Sequence, residues 1–140
     1  MSETILLAID LNDPDGNAPS VARATALAQA GGTLHVVNVV PDFGMSIVGS
    51  YFNEEHNAQM LTEAKAALED WATTHLADLS GVVLHVEQGS IYDRVLKLAS
   101  EVKADMIVVG AHSSTLQDYL IGPNAARIAR HATQSVMVVR

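Results

Sequence analysis

Ile5-Leu6-Leu7-Ala8-Ile9, stopped by Asp10, is the stretch that decides the fold. An unbroken apolar run of this length, with no polar residue at alternate positions, marks a strand whose two faces are both covered. Outward from it, runs of the same kind recur at Leu34–Val40, Val82–Val86, Met106–Val109 and Val136–Val139. Helical segments separate them. The turn-forming Asn12-Asp13-Pro14-Asp15-Gly16-Asn17 leads to Pro19 as a first helical residue, and an Ala-rich helix from Ala18 to Ala30 ends at Gly31-Gly32. A second helix is expected over Glu54–Asp78, where Leu61, Ala64, Leu68, Trp71 and His75 fall on one face, so Trp71 reads as core packing. Pro41–Asn53 has no period and reads as a long loop, a kind of segment that compact domains often use for function. Ser90, with Asp93 three residues on, is close to a capping box for a third helix whose apolar face is Ile91, Val95, Leu98, Ala99 and Val102. After a polar loop from Ala111 to Tyr119, Gly122-Pro123-Asn124 opens a fourth helix that ends near Ala132.

Strands and helices therefore alternate from end to end, which predicts an α/β fold: a five-stranded parallel sheet with helices on both faces, joined by right-handed crossovers. At 140 residues, without an internal repeat, the expectation is a single domain over 1–140. Open sheets of this class bind ligands beyond the carboxyl ends of their strands, where strand order reverses. The loops after Ile9, Val40 and Val109 are accordingly the candidate walls of a site.

Composition narrows the chemistry. Eight Lys and Arg against sixteen Asp and Glu give a net charge of −8, which repels nucleic-acid backbones and anionic membranes at long range. A phosphate held by this chain must be held locally, by backbone amides, a helix N-terminus or a bound cation. The three Lys, at 65, 97 and 103, lie outside the candidate loops. There is no Cys, which removes disulfides, thiolate metal sites and cysteine nucleophiles. Met1-Ser2-Glu3-Thr4 has no basic signal-peptide region, and the first apolar run is far too short to span a bilayer, so a cytoplasmic protein is expected. The P-loop, the Gly-x-Gly-x-x-Gly fingerprint, the Gly-x-Ser-x-Gly elbow and the His-x-x-x-His spacing of zinc enzymes are all missing.

The segment Val109-Gly110-Ala111-His112-Ser113-Ser114-Thr115, followed by Leu120-Ile121-Gly122-Pro123-Asn124, carries the most specific signal. A Gly after a buried strand lets backbone approach a ligand, and a Gly opening a helix leaves N–H groups free for an anion, although both are also common punctuation. The segment resembles the nucleotide loop of the universal stress protein family. So do Ile9-Asp10, the run Val36-Val37-Asn38-Val39-Val40-Pro41, Gly89-Ser90, and the closing Arg130-His131-Ala132 and Val136–Arg140. The resemblance covers the whole chain and implies an adenine-nucleotide α-hydrolase-like (Rossmann-like) architecture that binds ATP or AMP.

Carried over residue by residue, it places Asp10 beside the nucleotide, Val39 at the adenine, and Gly110 and Gly122 at the phosphates. The strand-end residues Ala8, Ile9 and Val109 flank them, with His112, Ser113, Ser114, Thr115, Pro123 and Asn124 along the loop. Three departures stand out. Ser113 replaces the second loop Gly, the spacer is one residue short, and Pro123 replaces a Ser, which removes a hydroxyl and an N–H. The Gly-Pro-Asn-Ala-Ala start resembles a short-loop branch of the family that includes nucleotide binders, and Ser113, Ser114, Thr115 and Asn124 offer replacement donors.

Asp10 has two readings. It caps the turn that follows, or it coordinates Mg²⁺ directly or through water beside the phosphates. His35 and His85, inside strands, read as satisfied sheet residues, and Arg127 and Arg130 as solvated complements to a helix dipole. If the Ser135–Arg140 strand lies at a sheet edge, its unpaired backbone groups favour dimerisation, and the family resemblance implies a homodimer through antiparallel pairing there. The reading is a homodimeric stress-response regulator with an unidentified protein partner, in which nucleotide orders the Gly110-to-Gly122 loop. Its rivals are a dimeric interaction module that binds no nucleotide, favoured by Ser113 and Pro123, and a slow ATPase or autophosphorylating enzyme, for which no general base is evident.

Overall fold

The computed structural model describes residues 3–40, 50–111 and 122–140, with the side chains of 50–54 excepted. Its elements are β1 (Thr4–Ile9), α1 (Pro14–Gln29), β2 (Thr33–Val40), α2 (Ser50–His75), β3 (Val83–Gln88), α3 (Ile91–Glu101), β4 (Met106–Gly110), α4 (Pro123–His131) and β5 (Ser135–Val139). The sheet is parallel throughout, in the order β3-β2-β1-β4-β5. Strand order thus reverses between β1 and β4, and the connections after these two strands leave in opposite directions.

The apolar runs are explained by burial on both faces. Leu6, Val37, Ile107 and Val109 pack against Val95, Leu98 and Ala99 of α3 and Ala125 and Ile128 of α4. On the other face Ile5, Leu7, Ile9, Leu34, Val36 and Val108 meet Ala24 of α1, Leu68 of α2 and Leu76 beyond its end. Trp71 joins that cluster only partly buried, with its ring centroid 5.3 Å from that of the exposed His75. His35 and His85 satisfy one another across β2 and β3.

Several boundaries differ from the sequence expectation. Helix α1 begins at Pro14, not Ala18. The Asp13 carboxylate accepts from the Gly16 N–H, so Pro14 takes the first-turn position and Pro19 lies inside the helix. Of its alanines only Ala24 is fully buried. Ser50–Asn53, expected in the loop, opens α2, since no Pro or Gly interrupts the chain between Gly49 and the helix body. That helix ends at His75 rather than Asp78, and the rest of the expected loop lies outside the described residues. Strand β3 extends to Gln88 because its ladder with β2 continues to the Val40–Gln88 pair. Ser90 stands at the N-cap of α3, but its exposed hydroxyl makes no capping bond, leaving first-turn amides to solvent or ligand. Ile91 is not part of the buried face of α3: it is 40% exposed. Among the described residues no helix is long and apolar enough to cross a membrane.

Candidate functional site

The site begins with the turn after β1. Asp10 Oδ1 accepts from the Asn12 N–H at 2.9 Å, and the Asp13 N–H donates to the Asp10 carbonyl at 3.0 Å, so the capping reading of Asp10 holds. Asn17, buried at the start of α1, reaches back and accepts the Asp10 N–H on its amide oxygen at 3.1 Å. Its amide nitrogen donates to the Asp10 carbonyl. Asn38, buried near the end of β2, accepts the Leu11 N–H at 3.3 Å. Two buried amides thereby fix the direction in which the backbone leaves the sheet and where Asp10 stands.

The opposite wall comes from α4. The Gly122 N–H donates to the Ala111 carbonyl at 2.6 Å, which ties the helix start to the end of β4. Gly122 is an extended N-cap without a side-chain bond, Pro123 has no N–H, and the first intrahelical bond runs from Ala126 to Gly122. The N–H groups of Asn124 and Ala125 are therefore the first-turn donors that remain at a positively polarised helix end. Glycine is needed at the start of α3, where Gly89 turns the chain at φ +134° and its N–H donates to Val40. A Cβ there would also lie 3.0 Å from Arg94 Nε.

These walls enclose a cavity of about 220 Å³ lined by Ala8, Ile9, Asp10, Val109, Gly110, Gly122, Pro123 and Asn124, all expected from sequence. Beside it a cleft of about 490 Å³ runs along the end of β2 under α2, lined by Val39 and Asn38 together with Met60, Glu63 and Ala64. Ala8, Ile9, Asp10 and Ile91 line both. Val39 is thus separated from the glycines, with the Ala8–Asp10 strand end and Ile91 between them. His112, Ser113, Ser114 and Thr115 lie outside the described residues.

Sequence reasoning missed Asn17, Asn38 and Ile91. Asn17 reads as turn chemistry, Asn38 sits within an apolar strand, and Ile91 falls on an apolar helical period. Among the described residues no Lys, Arg or His lines either cavity, and no three His, Cys, Asp or Glu side chains gather into a metal-binding group.

A parallel sheet with adjoining clefts beyond its reversal point, one of them ending on a helix N-terminus, defines a doubly wound, Rossmann-like α/β protein. Comparison with known proteins narrows the class. The chain matches the universal stress protein family model over residues 1–140 and belongs to that family. It is 31% identical to universal stress protein G of Escherichia coli O157:H7, over the full length of both chains. Among solved structures, the universal stress protein UspA from Lactobacillus plantarum superposes with a TM-score of 0.81 at 21% identity, covering 99% of this chain and 97% of that one. A universal stress protein in complex with cAMP has a TM-score of 0.63 at 24% identity, over 99% and 97% of the two chains.

Proposed function

We propose that this protein is a homodimeric, cytoplasmic stress-response regulator that binds an adenine nucleotide, ATP or AMP, across the two adjoining clefts. The observation that carries the reading is their junction at Ala8–Asp10 and Ile91. The smaller cavity is below the size of a typical ligand pocket, about 300–1,000 Å³, whereas the pair suits a ligand with two chemically different ends. The apolar cleft beside Val39 takes the adenine, and the cavity at α4 takes the phosphates on the Asn124 and Ala125 amides. Support from outside the chain comes from the family membership and the cAMP-bound relative.

Mg²⁺ fits the donor set as a partner of the nucleotide rather than as a resident ion. Asp10 is an exposed carboxylate at the cavity mouth, and Mg²⁺ is commonly held by one or two carboxylates, phosphate oxygens and water. With Asp10 and Asp13 both lining the cavity, the ion would offset their repulsion of phosphate. Binding is therefore expected to be modest and cation-dependent.

Calorimetric titration with ATP and AMP, with and without Mg²⁺, tests this. The expected result is saturable heat that strengthens with Mg²⁺ for ATP, is lost in Gly110→Val, and loses its Mg²⁺ dependence in Asp10→Ala. Silence at millimolar ATP and AMP sinks the nucleotide reading and leaves the dimeric interaction module, which Pro123 favours by withdrawing a donor from the cavity. Rapid turnover would instead make the protein an enzyme.

The dimer rests on β5. It is an edge of the sheet, Val136 to Val139 are only half-buried, and a groove between β5 and α1 runs beside it. Sedimentation is expected to give twice the 14.9 kDa chain mass, and a monomer at the highest soluble concentration would remove this element.

A further inference from the structure

The strand at the other edge of the sheet carries a feature outside the clefts. His35 Nδ1 and His85 Nε2 stand 2.9 Å apart, and the two rings stack at 15° with centroids 5.2 Å apart. The register pairs His35 with Val83 and Val37 with His85, so the rings meet diagonally across β2 and β3 on the face that carries α3 and α4. This is the one side-chain hydrogen bond between strands among the described residues. It sits on an edge strand of which no residue is fully buried, with Val83 41% exposed.

A hydrogen bond between imidazoles requires one nitrogen to donate and the other to accept. Two neutral rings satisfy this. A single added proton also satisfies it, because an imidazolium N–H still donates to a neutral partner. A second proton does not: two N–H groups then face each other and two cations lie side by side.

Charged and titratable groups on the elements of this face are Glu87 on β3, Tyr92, Asp93, Arg94, Lys97 and Glu101 on α3, Lys103 and Asp105 in the turn that follows, and Arg127, Arg130 and His131 on α4. On the same face β2 adds none besides His35, and β1 presents the buried Leu6. Burial pushes both rings below the usual histidine value of 6.5, the neighbouring His35 lowers His85 further, and Glu101 alone pulls His85 back up.

We propose that His35 and His85 form an acid-released latch that holds edge strand β3 against β2 near neutral pH and lets it go when both rings are protonated. The release would reach the clefts through the chain itself. Strand β3 runs through Gly89 and Ser90 directly into Ile91, one of the residues that line both cavities.

The sign follows from the two depressed values. The unfolded or detached strand binds protons at 6.5 and the latched one only below it, so the latch contribution is complete above pH 6.5 and declines as pH falls through the lower values.

Amide hydrogen exchange of the whole protein, corrected for intrinsic rates, reads this at about pH 7.5 and about pH 5. Protection of Val83–Gln88 is expected to fall about tenfold or more at the lower pH, with β1 and β4 much less affected. The double variant His35→Asn/His85→Gln places amide groups near the two bonding nitrogens without titrating, and its β3 protection should stay flat. Unchanged protection in the wild type, or an equal fall in the double variant, overturns the latch. So does Zn²⁺ alone raising the melting temperature of the wild type but not of the variant, which would make the pair a metal site. If the double variant does not fold, imidazole NMR titration of the wild type decides. The second protonation of the pair must fall below 6.5, and a pair that takes up both protons at or above it overturns the proposal.

Discussion

Asn17→Ala is expected to lower the unfolding free energy by about 1–3 kcal/mol and to abolish ligand binding at the clefts. The side chain acts as a short piece of backbone: its amide accepts the Asp10 N–H and donates to the Asp10 carbonyl. The backbone carbonyl of Asn17 accepts from the Ser20 hydroxyl at 3.0 Å, which holds the first turns of α1 at the same point. Truncation leaves the Asp10 N–H without its partner in a part-buried turn, at a cost of about 1–3 kcal/mol where water does not reach it, while the Asp10 carbonyl keeps the Asp13 N–H. Asn17→Asp is a sharper test, because it preserves shape and the acceptor while setting an oxygen against the Asp10 carbonyl. It should behave like the Ala variant, not like the wild type. Urea unfolding measures the stability change, and a loss of less than about 1 kcal/mol for both variants would show that the turn holds itself.

The order of strands and helices was legible because burial on both faces writes an unbroken apolar run, and Ile5–Ile9 meets side chains on each side. The start of α1 was not, because Pro14 and Pro19 can each occupy a first-turn position. The choice falls to the Asp13 carboxylate, whose bond to Gly16 is a matter of three-dimensional reach. The candidate site divided in the same way. Strand-end residues and the glycine at the start of α4 were readable, since fold class alone says where strands end and helices begin. Asn17 and Asn38 were not readable as site-builders, because an Asn in a turn and an Asn in a strand look alike whether they serve themselves or a neighbouring loop. Ile91 was misassigned for the opposite reason. Its helical spacing matches Val95 and Leu98, but at the first residue of α3 it is 40% exposed, and its apolar side chain lines the clefts instead.

Ile128→Ala is expected to cost about 3 kcal/mol and to weaken whatever binds at the helix start, which links the core to the site. Ile128 is 1% exposed, packs in the cluster with Leu6, Ile107 and Val95, and also lines the smaller cavity. Buried Ile-to-Ala changes cost about 2–5 kcal/mol, a large part of the 5–15 kcal/mol that holds a typical domain folded. Helix α4 is only nine residues long, too short to persist in water on its own, so its position depends on what it buries. What it buries is Ala125 and Ile128, and Ala125 contributes little area. Without the larger side chain the Asn124 and Ala125 amides lose their fixed place, although neither residue is altered. The graded comparison is Ile128→Val, which removes one methylene and should cost about 1 kcal/mol with binding nearly preserved. If unfolding of Ile128→Ala in urea instead falls within about 1 kcal/mol of wild type, α4 is held from elsewhere, and the coupling between this core position and the cavity is wrong.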